Sequence, residues 1–353
     1  MLTNWCKPPS ADLWSITDQE GTLGNRLAIL TATTQTMEPY EVALLGTDGS
    51  ADKVRRVLYQ LTDHFPELQL LDLGNLRKPR PDFAIPLLAE LLDARIVPVW
   101  IGEKTAVTTA MVRAYQHVER TVSVGALHPA AGFEAGVADT VLTAANRYTA
   151  MGYQAHLTPL TRLEALREKG ADTLRLGEMR TQLVQAEPFL RNLDLLGVDA
   201  GVVREADLPA QTVRGGVGLT LEELCQAAFY AGAGDRLSGF GIAGWDPAAD
   251  RDGRSARALA AVVWYFLDGV SRRQGDFPVG KQHMTEYVVS TAEGGTELTF
   301  WKSERSGRWW VEVTDHRETP AVKHLLACNY ADYTELVNGT ITPFLLRLLG
   351  RFA

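Results

Sequence analysis

Between residues 41 and 270 the sequence alternates short apolar segments with longer amphipathic ones, and this alternation constrains the fold more than any other feature. The apolar segments are typical of strands buried on both faces of a sheet, because they lack the polar residues that a solvent-facing side carries. These predicted strands lie at 42–46, 68–73, 96–101, 121–124, 153–157, 172–176, 195–198 and 237–242. The amphipathic segments, which predict helices, lie at 53–64, 83–92, 106–115, 161–169, 179–191, 221–231 and 256–270.

This alternation predicts an α/β protein with a mostly parallel sheet that helices cover on both faces. In such sheets, ligands bind outside the carboxyl ends of the strands. The residues that follow each predicted strand are therefore the first place to search for a functional site.

The character of the sequence changes after residue 270. Three β-rich segments at 285–290, 297–302 and 309–313, separated by glycine-containing turns, predict a small antiparallel meander. A terminal amphipathic helix or pair of helices follows, with Pro343 as the expected break.

These changes divide the chain into three parts. Residues 1–40 are expected to form an N-terminal arm, and residues 41–270 an α/β domain. Residues 271–353 are expected to form a β meander and helical extension packed on the same domain.

Composition excludes several classes of protein. The 353 residues carry a formal net charge of −8, which disfavours nucleic-acid binding. The longest apolar run, 256–267, contains Arg257 and is too short to span a membrane, and the N-terminus does not resemble a secretion signal. We therefore expect a cytoplasmic protein. Its three cysteines are far apart in the sequence, which argues against a disulfide framework and a cysteine zinc site.

Several segments, taken in order, resemble the ureohydrolase family of arginase, agmatinase and formimidoylglutamase. The similar segments are 96–102, 125–129, 198–201, 216–223 and 239–247. Within the family, the sequence most resembles a formimidoylglutamase-like subgroup. The resemblance covers about residues 41–270. It implies a three-layer α/β/α arginase-like fold, a homo-oligomer, and hydrolysis of linear amidines.

The resemblance also implies a centre of two manganese ions, whose bridging water attacks an amidino carbon. Carboxylates and imidazoles hold such ions. Where the family has its Gly-Gly-Asp-His loop, this chain has Glu103, Lys104 and Thr105 after Gly102. Thr105 stands at the place of the histidine, and the ammonium group of Lys104 would repel a cation.

The other ligand positions have also changed. His128 is one residue out of register with the family's Asp-Ala-His-x-Asp segment, and Asp199 is the only ligand kept in place. Gly201 replaces the partner of Asp199, and Gly244 replaces the glutamate that faces the guanidinium. We therefore expect no metal and no resident cofactor.

The candidates for lining a ligand pocket share a polar or charged side chain next to a predicted strand end. They are Glu103, Lys104, Thr105, His128, His156, Asp199 and Asp207. No residue among them is assigned as catalytic. Ordinary structural roles compete with function at each one: a strand end or helix cap for Asp199, a loop histidine for His128, and a structural role for His156.

Two functions stay open. The first is a pseudoenzyme, a ureohydrolase scaffold without its metals that keeps a binding or assembly role and binds a small polar ligand. The second is an active amidinohydrolase, acting on formimidoylglutamate or a related compound, in which His128, Asp139, Asp199 and Asp207 rebuild a manganese site. A metal-free catalyst using Glu103 and Lys104 is a weaker third. The sequence names no other protein partner.

Overall fold

A computed structural model shows a ten-stranded central sheet and a separate four-stranded sheet. It describes residues 2–31, 37–103, 106–131, 147–181, 183–276, 281–290, 297–315 and 320–350. The strands in this part of the chain are β1 Cys6–Lys7, β2 Ala28–Ile29, β3 Val42–Gly46, β4 Leu70–Leu76, β5 Val97–Ile101, β6 Ser123–Leu127, β7 Arg147–Tyr153, β8 Asp172–Arg175, β9 Leu195–Asp199, β10 Gly239–Ala243, β11 Met284–Ser290, β12 Glu297–Ser303, β13 Trp309–Asp315 and β14 Val322–Cys328.

Helices follow most of these strands. The α-helices among the described residues are α1 Leu23–Arg26, α2 Ala51–Leu58, α3 Ile85–Asp93, α4 Ala106–His117, α5 Leu160–Glu168, α6 Leu176–Thr181, α7 Leu183–Arg191, α8 Leu221–Gly232, α9 Arg254–Ser271, α10 Tyr330–Val337 and α11 Pro343–Gly350.

The central sheet has the strand order β1-β4-β3-β5-β10-β9-β6-β7-β8, with β2 beside β4, and every pair except β1–β4 is parallel. Alternate residues of β3 pack into different hydrophobic clusters, Val42 and Leu44 into one, Ala43 and Leu45 into the other. Both faces of the sheet are therefore buried. The predicted arginase-like α/β architecture is confirmed.

Some predicted boundaries were wrong. The strand expected at 153–157 ends at Tyr153, and Ala155–Leu157 form a 3-10 turn instead. The strand expected to close at Gly74 continues through it to Leu76. Gly74 has a φ of 72°, and a side chain there would overlap the Lys7 carbonyl of β1. This glycine was expected to end the strand, but it instead allows β1 and β4 to approach each other closely.

Two predicted helices also differ. The helix expected at 53–64 is Ala51–Leu58. The helix expected at 179–191 begins earlier, at Leu176, and the described parts of this segment are α6 and α7; residue 182 lies outside the described residues.

The expected C-terminal meander is confirmed, with a fourth strand, β14, that the sequence analysis missed. The turn signal at 293–296 lies outside the described residues. The chain then forms two helices, α10 and α11, and the second begins at Pro343, the expected break.

The side chains that end α7 attach the four-stranded sheet to the main unit. The buried Arg191 guanidinium donates hydrogen bonds to the Trp309 and Cys328 carbonyls at 3.2 and 3.0 Å. Asn192 bonds the backbone of Ala327 through both its amide nitrogen and its amide oxygen. The Arg191 guanidinium also lies 4.5 Å from the centre of the Trp310 ring.

The tryptophans of this sheet are therefore packing residues. Trp301, Trp309 and Trp310 are all buried, and Trp309 stacks on Tyr333 of α10 with ring centres 4.8 Å apart. We consequently do not assign these three rings to an exposed contact surface.

A buried ionic network joins α2 to β4. Arg55 Nε donates to Asp72 at 2.7 Å, and both side chains are fully buried. The other Arg55 nitrogens donate to Asp52, Asn75 and the Gly74 carbonyl. Because all three nitrogens of the guanidinium donate hydrogen bonds, and Asp72 supplies the opposite charge, the cost of burying the charge is offset.

A search of the described helices for one long and apolar enough to cross a membrane finds none.

Replacing Asp72 by alanine should destabilise the fold strongly, because it leaves the Arg55 charge buried without its partner. We expect the free energy of unfolding in urea to fall by about 3–5 kcal/mol. Asp82→Ala is the matched control, since Asp82 pairs with Arg113 at 2.7 Å on the surface and should show little change. Equal effects of the two substitutions would contradict the assignment.

Candidate functional site at the carboxyl ends of the strands

The register of the central sheet brings four strand ends together. In the middle of the sheet, β5, β10, β9 and β6 are neighbours. Ala243 pairs with Asp199, and Val198 pairs with Leu127. The residues that follow these strands therefore meet at one edge, which we call the carboxyl edge.

His128 and Asp199 are in contact at this edge. His128 Nε2 lies 3.5 Å from Asp199 Oδ2, and both side chains are buried. His128 Nδ1 lies 2.9 Å from the Ala130 nitrogen, and when it accepts that N–H the ring proton is on Nε2, facing Asp199. Asp199 Oδ1 accepts the Gly201 N–H at 2.7 Å and caps a short 3-10 turn.

A segment of the chain crosses the carboxyl edge. We call residues 211–219 the crossing segment. At its start, the Thr212 nitrogen and hydroxyl donate to the Gly244 carbonyl at 2.9 and 3.0 Å, and Gln211 bridges to Trp245. These bonds join the segment to the end of β10.

The far end of the crossing segment is fixed in the same way. The Leu219 nitrogen donates to the Val202 carbonyl at 2.9 Å, and the Leu219 carbonyl accepts from the Arg204 nitrogen. The buried Gln154 side chain donates from Nε2 to the Val217 carbonyl at 2.6 Å. The segment is thus bonded across the ends of β9 and β7.

Two glycines that replace site residues of the family, Gly201 at a metal-ligand position and Gly244 at the position of the guanidinium-facing glutamate, are closely packed. A Cβ at Gly201 would lie 2.7 Å from the Val213 carbonyl oxygen and 2.9 Å from Asp199 Oδ1. A Cβ at Gly244 would overlap the Asp199 carboxylate, and the φ of 80° there is strained for other residues. A side chain at position 201 would require the backbone to move, and one at position 244 would displace the Asp199 carboxylate.

The remaining sequence candidates are spread out. Glu103 is half-buried, and its carbonyl accepts the Gly244 N–H at 3.0 Å. Lys104, Thr105 and Asp139 lie outside the described residues. His156 is exposed on a 3-10 turn, not on a strand.

Asp207 has a structural position at the start of α8. Its Oδ2 accepts from Arg204 Nε at 2.7 Å and from the Leu221 N–H at 3.0 Å. Burial raises the pKa of Asp207, but these hydrogen bonds outweigh it, so the pKa is lowered overall. Asp250 similarly accepts from the nitrogens of Ser255 and Ala256 at the start of α9.

Three buried polar side chains at this edge were not singled out as site candidates. Gln154 Oε1, Gln211 Oε1 and Trp245 Nε1 make no hydrogen bond among the described residues. Gln154 directly follows β7. A polar amide just after a buried strand is the sequence feature that could have identified it as a site candidate. Buried atoms of this kind are normally satisfied by ordered water or a small polar molecule.

Comparison with solved structures shows an arginase-like fold. The chain aligns with Trypanosoma cruzi formiminoglutamase with Mn²⁺ at 16% identity and a TM-score of 0.62, covering 68% of this chain and 96% of that one. It aligns with Bacillus subtilis formimidoylglutamase at 16% identity and a TM-score of 0.60, covering 73% of this chain and 92% of that one. It aligns with the agmatine ureohydrolase of Thermoplasma volcanium at 15% identity and a TM-score of 0.57, covering 74% of this chain and 97% of that one.

At these identities the likeness establishes the fold alone. No protein-family model matches the sequence. A search of curated proteins also finds no match.

The described residues do not fit a centre of two manganese ions. Two adjacent divalent ions need several anionic oxygen or imidazole ligands. Within the described part of the chain, no three His, Cys, Asp or Glu side chains lie close enough together to hold an ion. His128 and Asp199 are the pair that remains.

Gly244→Ala should destabilise the protein more than Gly216→Ala. Both glycines have a positive φ, of 80° and 71°, so each substitution strains the backbone by about 1–2 kcal/mol. Only position 244 adds an overlap with Asp199, because position 216 is open. We expect an additional loss of roughly 1–3 kcal/mol in the free energy of unfolding. Equal losses would mean that the Asp199 carboxylate does not fill this space.

Asp207→Asn should lower stability near neutral pH by about 1 kcal/mol or less, because it weakens a helix-start interaction. A lowered pKa means that the ionised form favours folding above the ordinary carboxyl pKa. The difference from wild type should therefore shrink as the pH falls through the lowered pKa. Unfolding measured across acid pH tests this, with Glu90→Gln, at an exposed position of α3, as control. A pH-independent difference would contradict it.

Proposed function

We propose that this chain is a catalytically inactive protein with an arginase-like fold and a binding or assembly role. The observation that supports this most directly is the filled space at Gly201 and Gly244. The Val213 carbonyl stands where the metal-binding side chain at position 201 would begin, and the Asp199 carboxylate stands where the guanidinium-facing side chain at position 244 would begin.

The use of nearby carboxylates supports the same proposal. Asp207 and Asp250 are committed to backbone N–H groups at helix starts. In these positions neither carboxylate belongs to a group of three possible metal ligands among the described residues. The two-ion hydrolytic mechanism then lacks the negative charge that it needs.

We assign the remaining polar atoms of the carboxyl edge to binding. The Asp199 carboxylate, the His128 ring and the Gln154 and Gln211 amides provide donors and acceptors within buried surroundings. These groups suit a small polar ligand. Assembly into a homo-oligomer in the cytoplasm is part of the same proposal.

A second candidate is an active amidinohydrolase that acts on formimidoylglutamate or a related compound. The contact between His128 and Asp199 favours it, because an imidazole and a carboxylate are manganese ligands. This alternative requires further ligands, such as Asp139, and the cofactor would be Mn²⁺.

Manganese binding and hydrolysis, measured on the same preparation, distinguish the two functions. We expect calorimetry to detect no stoichiometric Mn²⁺ binding, and formimidoylglutamate to be hydrolysed no faster than in buffer. The amidinohydrolase alternative instead predicts stoichiometric Mn²⁺ and turnover, both lost in Asp199→Asn. Asp82→Asn is the control, because Asp82 lies on the surface beside Arg113 and belongs to neither function. Turnover that depends on Asp199 would overturn the proposal.

A further inference from the structure

A cleft separate from the carboxyl edge lies between the main unit and the C-terminal helices. It is lined by residues of β8, α6, α7, α10 and α11, and its volume is about 450 Å³. That volume is in the range of sites that bind small organic molecules. None of the carboxyl-edge residues described above lines it.

Two phenylalanines form an aromatic floor in the cleft. Phe189 of α7 and Phe344 of α11 meet edge to face, with ring centres 4.7 Å apart. The guanidinium of Arg347, which also lines the cleft, lies 5.7 Å from the centre of the Phe189 ring. The aromatic floor therefore already contacts one organic cation, supplied by the protein itself.

The wall of the cleft carries an excess of negative charge. Asp332, Glu335 and Glu178 line it, against the single cation of Arg347. Asp332 is only 3% exposed, and it accepts hydrogen bonds from the Asn329 N–H and the Thr342 hydroxyl. Neither donor is charged, and no described basic residue forms an ion pair with Asp332.

Asp332 forms a capping box with Asn329 at the start of α10, and this position stabilises its buried carboxylate only in part. Burial raises the pKa of Asp332, although the hydrogen bonds of Thr342 and Asn329 oppose the rise. Buried charges in proteins are normally paired, because the low dielectric interior penalises a lone ion. A cationic group placed beside Asp332 would remove that penalty.

We propose that this cleft binds a small organic cation, with its apolar body on Phe189 and Phe344 and its charged group beside Asp332 and Glu335. Charge complementarity carries the choice of a cation over a neutral or anionic molecule. The proposal is independent of the function assigned to the carboxyl edge, since the two sites share no residue.

Three probes of the same shape and different charge test the proposal: benzylammonium, benzyl alcohol and benzoate. Calorimetry on the full chain near neutral pH should show one saturable site for benzylammonium. Its dissociation constant should be at least about tenfold lower than that of benzyl alcohol, and benzoate should be weaker still.

Variants of the wall identify the site. Asp332→Asn should weaken benzylammonium by about tenfold or more, and leave benzyl alcohol nearly unchanged. Because Asp332 also caps α10, circular dichroism must first show that this variant folds. Glu335→Gln, at an exposed position, should weaken benzylammonium about threefold even if Asp332→Asn does not fold. Glu90→Gln, on exposed α3 surface, is the matched control.

Three results would each overturn the proposal. One is no saturable binding of benzylammonium. Another is equal binding of benzylammonium and benzyl alcohol, which would mean a purely apolar cleft. The third is an equal affinity of the Glu335→Gln variant and the Glu90→Gln control for benzylammonium.

Discussion

The packing of residues 211–219 across the ends of β9 and β10 is the constraint on which the candidate site depends. The ends of parallel strands normally leave a crevice where ligands bind. Here the Gly244 carbonyl accepts from Thr212, and the Val202 carbonyl accepts from Leu219. The chain's own backbone therefore occupies the crevice, and Gly201 beneath it has no room for a side chain.

The acidic groups around this edge have been turned to structural work. Asp199 caps a 3-10 turn, Asp207 binds the first amide of α8, and Asp250 binds the start of α9. Each interaction places a negative charge near exposed backbone N–H groups, where it is stabilised without a metal ion. Folding therefore has its own use for these carboxylates.

The architecture was predictable from the sequence, and the closure of the site was not. Apolar strands such as 42–46 and 195–198 are unambiguous because a strand buried on both faces tolerates few polar residues. Gly74 was misread because a positive φ inside a strand depends on the approach of β1, a contact far away in the sequence. The sequence shows directly that positions 201 and 244 are glycines. It does not show that the Val213 carbonyl packs against Gly201, because this is a tertiary contact that no local pattern encodes. The strand β14 was missed because the sequence before it contains no recognisable turn signal.

We propose that residues 211–219 fill part of the carboxyl edge and that this edge holds no pair of metal ions. Crystals grown with excess Mn²⁺, measured at the manganese absorption edge, test this most directly. We predict no anomalous peak between His128 and Asp199, with the Val213 carbonyl against Gly201. Two neighbouring peaks at this edge, with residues 211–219 displaced, would contradict the account.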